Sequence, residues 1–175
     1  DVDNKVELPY YMGSQNKIKD SENEITKYKK KYPGPYLISD KLDGVSGLIV
    51  YTNDNIKLYT RGNGREGQDI SHLYKYVNGF PKIKLDYDKL AVRGEFIISK
   101  DNWEILKKLD DTLSNPRNTV SGAINSKIIN KELMKMIDFV AYTMVYPNLP
   151  NGLPDLKNLN FNVVNNTVVD DINLA

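Results

Sequence analysis

The stretch Tyr36–Thr60, YLISDKLDGVSGLIVYTNDNIKLYT, decides the fold. It reads as three strands: Tyr36–Ser39, Val45–Tyr51 and Ile56–Thr60. β-Branched and aromatic residues dominate, and apolar and polar residues alternate in the third run. Asn53 and Asp54 supply the turn between the second and third strands. Short strands joined by hairpins, with helices elsewhere in the chain, argue for an α+β fold built on antiparallel sheet. Nothing in the chain resembles a run of βαβ units.

Toward the N-terminus, residues Asp1–Asp20 read as an irregular lead-in. Ser21 with Glu24 resembles a capping box that opens a polar helix to about Lys31. Pro33, Gly34 and Pro35 end it. Toward the C-terminus, Gly62, Gly64 and Gly67 mark a loop, and Leu90–Ile98 is a further strand. Asp101 with Glu104 caps a helix that holds Trp103, Leu106 and Leu109 on one side. Asn115–Lys127 admits more than one assignment, although Asn115-Pro116 is a common helix start. Phe139–Tyr146 reads as a buried strand, residues 147–160 as a Pro/Asn/Gly loop, and Phe161–Val169 as a final strand.

The 175 residues suit one domain with one core. Hydrophobic residues make up 40% and charged residues 27%, ordinary values for a globular protein. A net charge of +1 gives no global basic bias, so any nucleic-acid contact needs a local cluster of Lys and Arg. The densest basic run, Lys27–Lys31, reads as a solvated helix end. The absence of cysteine excludes disulfides, thiolate nucleophiles and Cys-based zinc sites in this chain. One histidine, His72, excludes a multi-His metal site and reads as a plain loop residue. No apolar run approaches a membrane span, and no secretion signal is visible.

Four motifs carry chemistry. In Lys41-Leu42-Asp43-Gly44, a lysine sits beside a carboxylate on a turn. An amine attacks only when neutral, an adjacent acid can orient it, and glycine lets backbone approach a ligand. Thr60–Ile70 (TRGNGREGQDI) offers backbone N–H groups for a phosphate or ribose, with Arg61 able to grip phosphate oxygens in a bidentate way. In Val92-Arg93-Gly94-Glu95-Phe96, two charges sit within an apolar strand and need partners, whether each other or a ligand. Asn115-Pro116-Arg117-Asn118, followed by Ser121 and Gly122, places an arginine at a helix N-terminus, where phosphate binds.

In this order the motifs resemble those of the NAD-dependent DNA ligases. Lys41–Gly44 matches their KxDG motif, and Thr60–Ile70 looks like their TRGDGxxGEDIT segment. Val92–Phe96 is similar to their VRGEV motif, and Asn115–Gly122 to NPRNxxAG. Phe139–Tyr142 and Leu159–Val164 look like the stretches that follow. Leu8–Lys19 looks like the entry to the adenylation domain in the viral branch.

The resemblance implies a nucleotidyltransferase (adenylation domain) fold with antiparallel sheets and flanking helices, incomplete at its C-terminal end. Residues 1–175 would be a partial adenylation domain, with 1–20 as lead-in and 21–175 as core. It implies that Lys41 attacks NAD and becomes adenylated, with Asp43 as its neighbouring acid. Ser39, Asp40, Arg61, Glu95 and Arg117 would contact the nucleotide. Arg61 and Arg117 would hold phosphate or the DNA end, and Glu95 would touch ribose or Mg²⁺. The implied partners are nicked double-stranded DNA and NAD or AMP. A monomer at an intracellular site (cytoplasmic, nuclear or a viral replication site) is expected.

The sequence also departs from the pattern. Ser39 stands where the family has a glutamate that contacts adenine, Asn63 where it has an aspartate, and Asn125 where it often has an arginine. No DGVVxK-like motif or late lysine motif follows Val169, so the chain is not expected to seal DNA by itself. An ATP-dependent polynucleotide ligase or capping-type nucleotidyltransferase shares the Lys41 chemistry. A non-catalytic fragment that holds AMP or DNA ends is the alternative of a different class.

Overall fold

The computed structural model describes residues 5–86, 88–149 and 152–172. Its centre is a four-stranded antiparallel sheet of β3 (Val45–Thr52), β4 (Ile56–Thr60), β6 (Lys89–Ile98) and β7 (Ile137–Tyr146), in the order β4-β3-β6-β7. Two two-stranded ribbons flank it: β1 (Lys5–Glu7) with β5 (Glu66–Gln68), and β2 (Tyr36–Ser39) with β8 (Asn166–Val169). The helices are α1 (Glu22–Lys31), α2 (Lys100–Leu109), α3 (Pro116–Asn125), α4 (Lys131–Met134) and α5 (Gly152–Asn158). The architecture is therefore α+β.

The two faces of the sheet differ because strand side chains alternate. Ile49, Tyr51, Leu58, Leu90, Val92, Phe96, Phe139 and Ala141 turn to one face and form the main core with Val120, Ile124, Met134 and Leu156 from the helices. Phe96 and Phe139 meet edge-to-face with centroids 5.3 Å apart, a geometry that adds about 0.5–1.5 kcal/mol beyond area burial. Leu48, Val50 and Ala91 turn to the other face, where Leu8 and Met12 of the lead-in cover them.

Several boundaries differ from those read in the sequence. The lead-in is not wholly irregular: β1 pairs with β5, and Met12 is 0% exposed (residues 1–4 lie outside the described residues). The cap of α2 is Ser99, whose hydroxyl accepts the Asn102 N–H, while Asp101 sits in the first turn. Trp103 and Leu106 pack on the core, but Leu109 at the C-terminal end of the helix is 79% exposed. Asn115 does start a helix, with its side chain accepting the Asn118 N–H at 2.8 Å. The expected loop at 147–160 contains α5, because Leu153 and Leu156, three residues apart, both find the core. The expected strand at 161–169 shortens to β8, since Phe161 and Val164 are used as core plugs. His72 lies in a short 3-10 helix, Ser71–Leu73.

Close packing of β3 against β6 explains one motif residue. A Cβ on Gly44 would lie 1.9 Å from the Phe96 carbonyl oxygen, which is backbone and cannot move aside cheaply. Gly44→Ala should therefore lower the stability of the chain by about 2 kcal/mol or more. Urea denaturation monitored by circular dichroism checks this, and an unchanged midpoint would remove the steric account.

Candidate active site

A broad cleft of about 1680 Å³ opens over the end of the second sheet face. That exceeds the roughly 300–1,000 Å³ of an ordinary small-molecule pocket, so it is a groove with room for an extended ligand. Ser39, Asp40, Lys41, Asp43, Arg61, Glu95 and Arg117 all line it, and so do the departing positions Asn63 and Asn125. The structure brings together every candidate from four motifs that span nearly eighty residues of sequence.

Each wall has a local cause. Leu42 packs into the main core, so its neighbours Lys41 and Asp43 face away from it, exposed in the cleft. On β2, Tyr36 and Ile38 are half-buried, while Leu37 and Ser39 turn to the cleft. Asp40 is tied to the approach to β8: its carboxylate accepts from the Asn165 side-chain amide at 3.0 Å, and its N–H donates to the Asn165 carbonyl at 3.1 Å. In α3, Val120, Ala123 and Ile124 enter the core, which turns Arg117, Asn118, Ser121 and Asn125 to the cleft.

On the floor, β3 and β6 set Ser46 opposite Glu95. The Ser46 hydroxyl donates to Glu95 Oε2 at 2.9 Å. Burial pushes the Glu95 carboxyl above the usual glutamate range, against the Ser46 hydrogen bond, the charges of Arg117 and Arg93, and the Gly44 N–H. Arg93 and Glu95 do not form an ion pair with each other. Arg93 Nε donates to the Tyr142 hydroxyl at 2.7 Å, and Nη1 to the Gly13 carbonyl at 3.2 Å. Arg61 Nε donates to the Met12 carbonyl at 2.9 Å, and Nη2 to the Ser14 hydroxyl.

Six Lys or Arg and four Asp or Glu line the cleft, in a chain whose net charge is only +1. Among the described residues, the ion pair within this lining is Lys5–Glu66 at 3.0 Å; Lys41, Arg61, Arg93 and Arg117 form none. Their charge is therefore available to an anion. Among the described residues no group of three or more His, Cys, Asp or Glu is placed to hold a metal. Glu95 in the cleft offers the hard carboxylate oxygen that a divalent cation such as Mg²⁺ takes, with phosphate and water as its usual further ligands. Among the same residues no helix is long and apolar enough to cross a membrane.

A family model described as the NAD-dependent DNA ligase adenylation domain matches residues 12–172. The chain belongs to that family. The adenylation-domain chain is 44% identical over 165 residues to a DNA ligase of Acanthamoeba polyphaga mimivirus, covering 91% of the chain and 26% of that relative. It is 32% identical over 145 residues to a DNA ligase of Flavobacterium psychrophilum, covering 78% and 22%. It is 30% identical over 165 residues to one of Flavobacterium johnsoniae, covering 87% and 25%. The chain spans about a quarter of the length of these relatives.

Sequence reasoning missed Ser46, Tyr142 and the strap Ser14–Lys17, all of which line the cleft. Ser46 had a signal, since a hydroxyl inside an apolar strand invites a polar neighbour. Tyr142 stands in a stretch that resembles the family's, but nothing local shows that it faces the cleft, because a strand bulge aims it. Asp69, at the end of the Thr60–Ile70 run, is structural: it accepts from the Ser71 N–H and hydroxyl and from Lys57. Burial alone would raise its pKa, but these hydrogen bonds and the Lys57 charge together lower it.

A carboxyl whose folded value lies below its unfolded one stabilises fully above the ordinary range and loses that contribution as pH falls through the folded value. Asp69→Asn should therefore be less stable than the unsubstituted chain at neutral pH, and the gap should close in acid. Urea midpoints taken from about pH 6 to about pH 2 test this, and a constant gap would refute it.

Proposed function

We propose that this adenylation domain carries out nucleotidyl transfer in an NAD-dependent DNA ligase, with Lys41 as the nucleophile. The observation that supports this most is the convergence of Lys41, Asp43, Arg61, Glu95 and Arg117 on one cationic cleft. On this reading the α+β architecture is a nucleotidyltransferase core, and residues 21–175 with their lead-in form part of it.

The Lys41 amine attacks the adenylyl phosphorus of NAD. A P–N bond forms, the P–O bond to nicotinamide mononucleotide breaks, and the amine gives up its proton to the Asp43 carboxylate or to solvent. Asp43, two residues away on the same connection, orients the amine. Arg117 and the free N–H groups of Arg61 draw the charged phosphates to the cleft. Glu95, with Oε2 already engaged by Ser46, contacts the ribose or would serve as a ligand of Mg²⁺. The ion, when bound, neutralises charge on the reacting phosphate oxygens. AMP is then passed to the 5′-phosphate of a nick, and the 3′-hydroxyl displaces it.

Ser39 cannot supply the carboxylate that the family presents to adenine, and Asp40 is partly engaged by Asn165. The adenine amine is thus received by neutral groups or by the remaining lone pairs of Asp40. The partners on this reading are NAD and nicked duplex DNA, and the protein acts as an intracellular monomer.

The test uses the full-length protein with Mg²⁺ and either adenylate-labelled NAD or α-labelled ATP, beside Lys41→Ala. Label retained covalently by the protein is expected from NAD, none from ATP, and none in the variant. Label from ATP alone would reverse the cofactor assignment. A folded protein that retains label from neither would be a non-catalytic module.

A further inference from the structure

Arg93 is the cleft arginine to which the chemistry above gives no part. It shares a face of β6 with Glu95, yet its guanidinium turns to two distant elements. Nε donates to the Tyr142 hydroxyl at 2.7 Å, 49 positions away in sequence, and Nη1 to the Gly13 carbonyl at 3.2 Å, 80 positions away. Its central carbon lies 5.6 Å from the centroid of the Tyr142 ring.

Both partners are specially placed. The β6–β7 register shifts between Arg93 and Gly94, whose partners are Thr143 and Ala141. Tyr142 is the extra residue of that bulge, so Tyr142 and Thr143 both turn to the cleft instead of alternating across the sheet. Gly13 lies between Met12, which is sealed in the smaller core, and Ser14, which lines the cleft. One side chain thus ties the Tyr142 wall and the Ser14–Lys17 wall to the floor.

We propose that Arg93 is a positioning residue for the nucleotide. It fixes the separation of these two walls and acts through them, without touching the reacting phosphorus. The proposal rests on the nucleotidyl-transfer reading. A guanidinium suits the task because its N–H groups are held in a rigid planar fork, so two acceptors on different sides orient it. A lysine ammonium is a point charge on a flexible stem and cannot hold both partners in one plane. Both acceptors are neutral, so the link leaves the positive charge of Arg93 unpaired in the cleft.

The experiment measures AMP transfer from NAD by the full-length protein carrying Arg93→Met, Arg93→Lys, Tyr142→Phe, or Arg93→Met with Tyr142→Phe. Loss of a hydrogen bond to a charged group predicts that Arg93→Met raises KM for NAD about tenfold or more, with kcat within about threefold. Tyr142→Phe, which removes only the acceptor, should raise KM by a smaller factor. The double variant should be no worse than Arg93→Met, because both changes cut one link. Arg93→Lys should keep the thermal midpoint and still show the raised KM.

A fall in kcat at constant KM would overturn the proposal, since it means either direct action on the phosphorus or a smaller folded fraction. Independent, multiplying effects of the two single variants would overturn it too. If the unsubstituted protein takes no AMP from NAD, the nucleotidyl-transfer reading fails separately. The same cycle is then read as NAD affinity by calorimetry, where the same non-additive weakening supports the link and undiminished affinity refutes it.

Discussion

The structure depends on β3 and β6 lying side by side from Val45↔Phe96 to Thr52↔Lys89. That ladder carries the core on one face and the cleft floor on the other. Ile49 pairs with Val92 above the helices, while Ser46 pairs with Glu95 beneath the cleft. The two strands can close up at their ends because Gly44 meets the Phe96 carbonyl without a Cβ. Any change that loosens the pairing would disturb packing and site together, since one set of backbone hydrogen bonds serves both.

The cleft uses its charges unequally. Arg61 and Arg93 donate to carbonyls and hydroxyls, which orient them without cancelling their charge. Burial raises the pKa of Glu95, and Ser46 and the neighbouring arginines work against that rise. The result is a preorganised concentration of positive charge in a nearly neutral chain, which suits an anionic ligand. The lead-in takes part in this arrangement. Leu8 and Met12 anchor it to the sheet, and the carbonyls of Met12 and Gly13 hold the two arginines.

What could be read in the sequence follows from how local each signal is. The strands between Tyr36 and Thr60 show themselves by alternation and turn residues, and α1 by Ser21 and the breakers after Lys31. The start of α3 is written in Asn115-Pro116. β1 is invisible because three residues with two exposed charges carry no pattern, and its partner β5 lies sixty positions away. α5 is hidden because its helix rests on two buried leucines amid Pro, Gly and Asn. The same limit applies in the cleft: Lys41, Asp43, Arg61 and Arg117 stand in recognisable runs, while Tyr142 sits in an ordinary apolar strand.

By itself, the sequence determined the α+β class, the motif residues and the family to which they belong, because these rest on short-range pattern and residue chemistry. Only the tertiary structure decided that Ser46 meets Glu95, that a bulge turns Tyr142 inward, and that the lead-in clasps Arg61 and Arg93. The physical reason is that strand register and bulge position arise from packing two unlike faces of one sheet, and no local window of residues encodes the partner across the ladder.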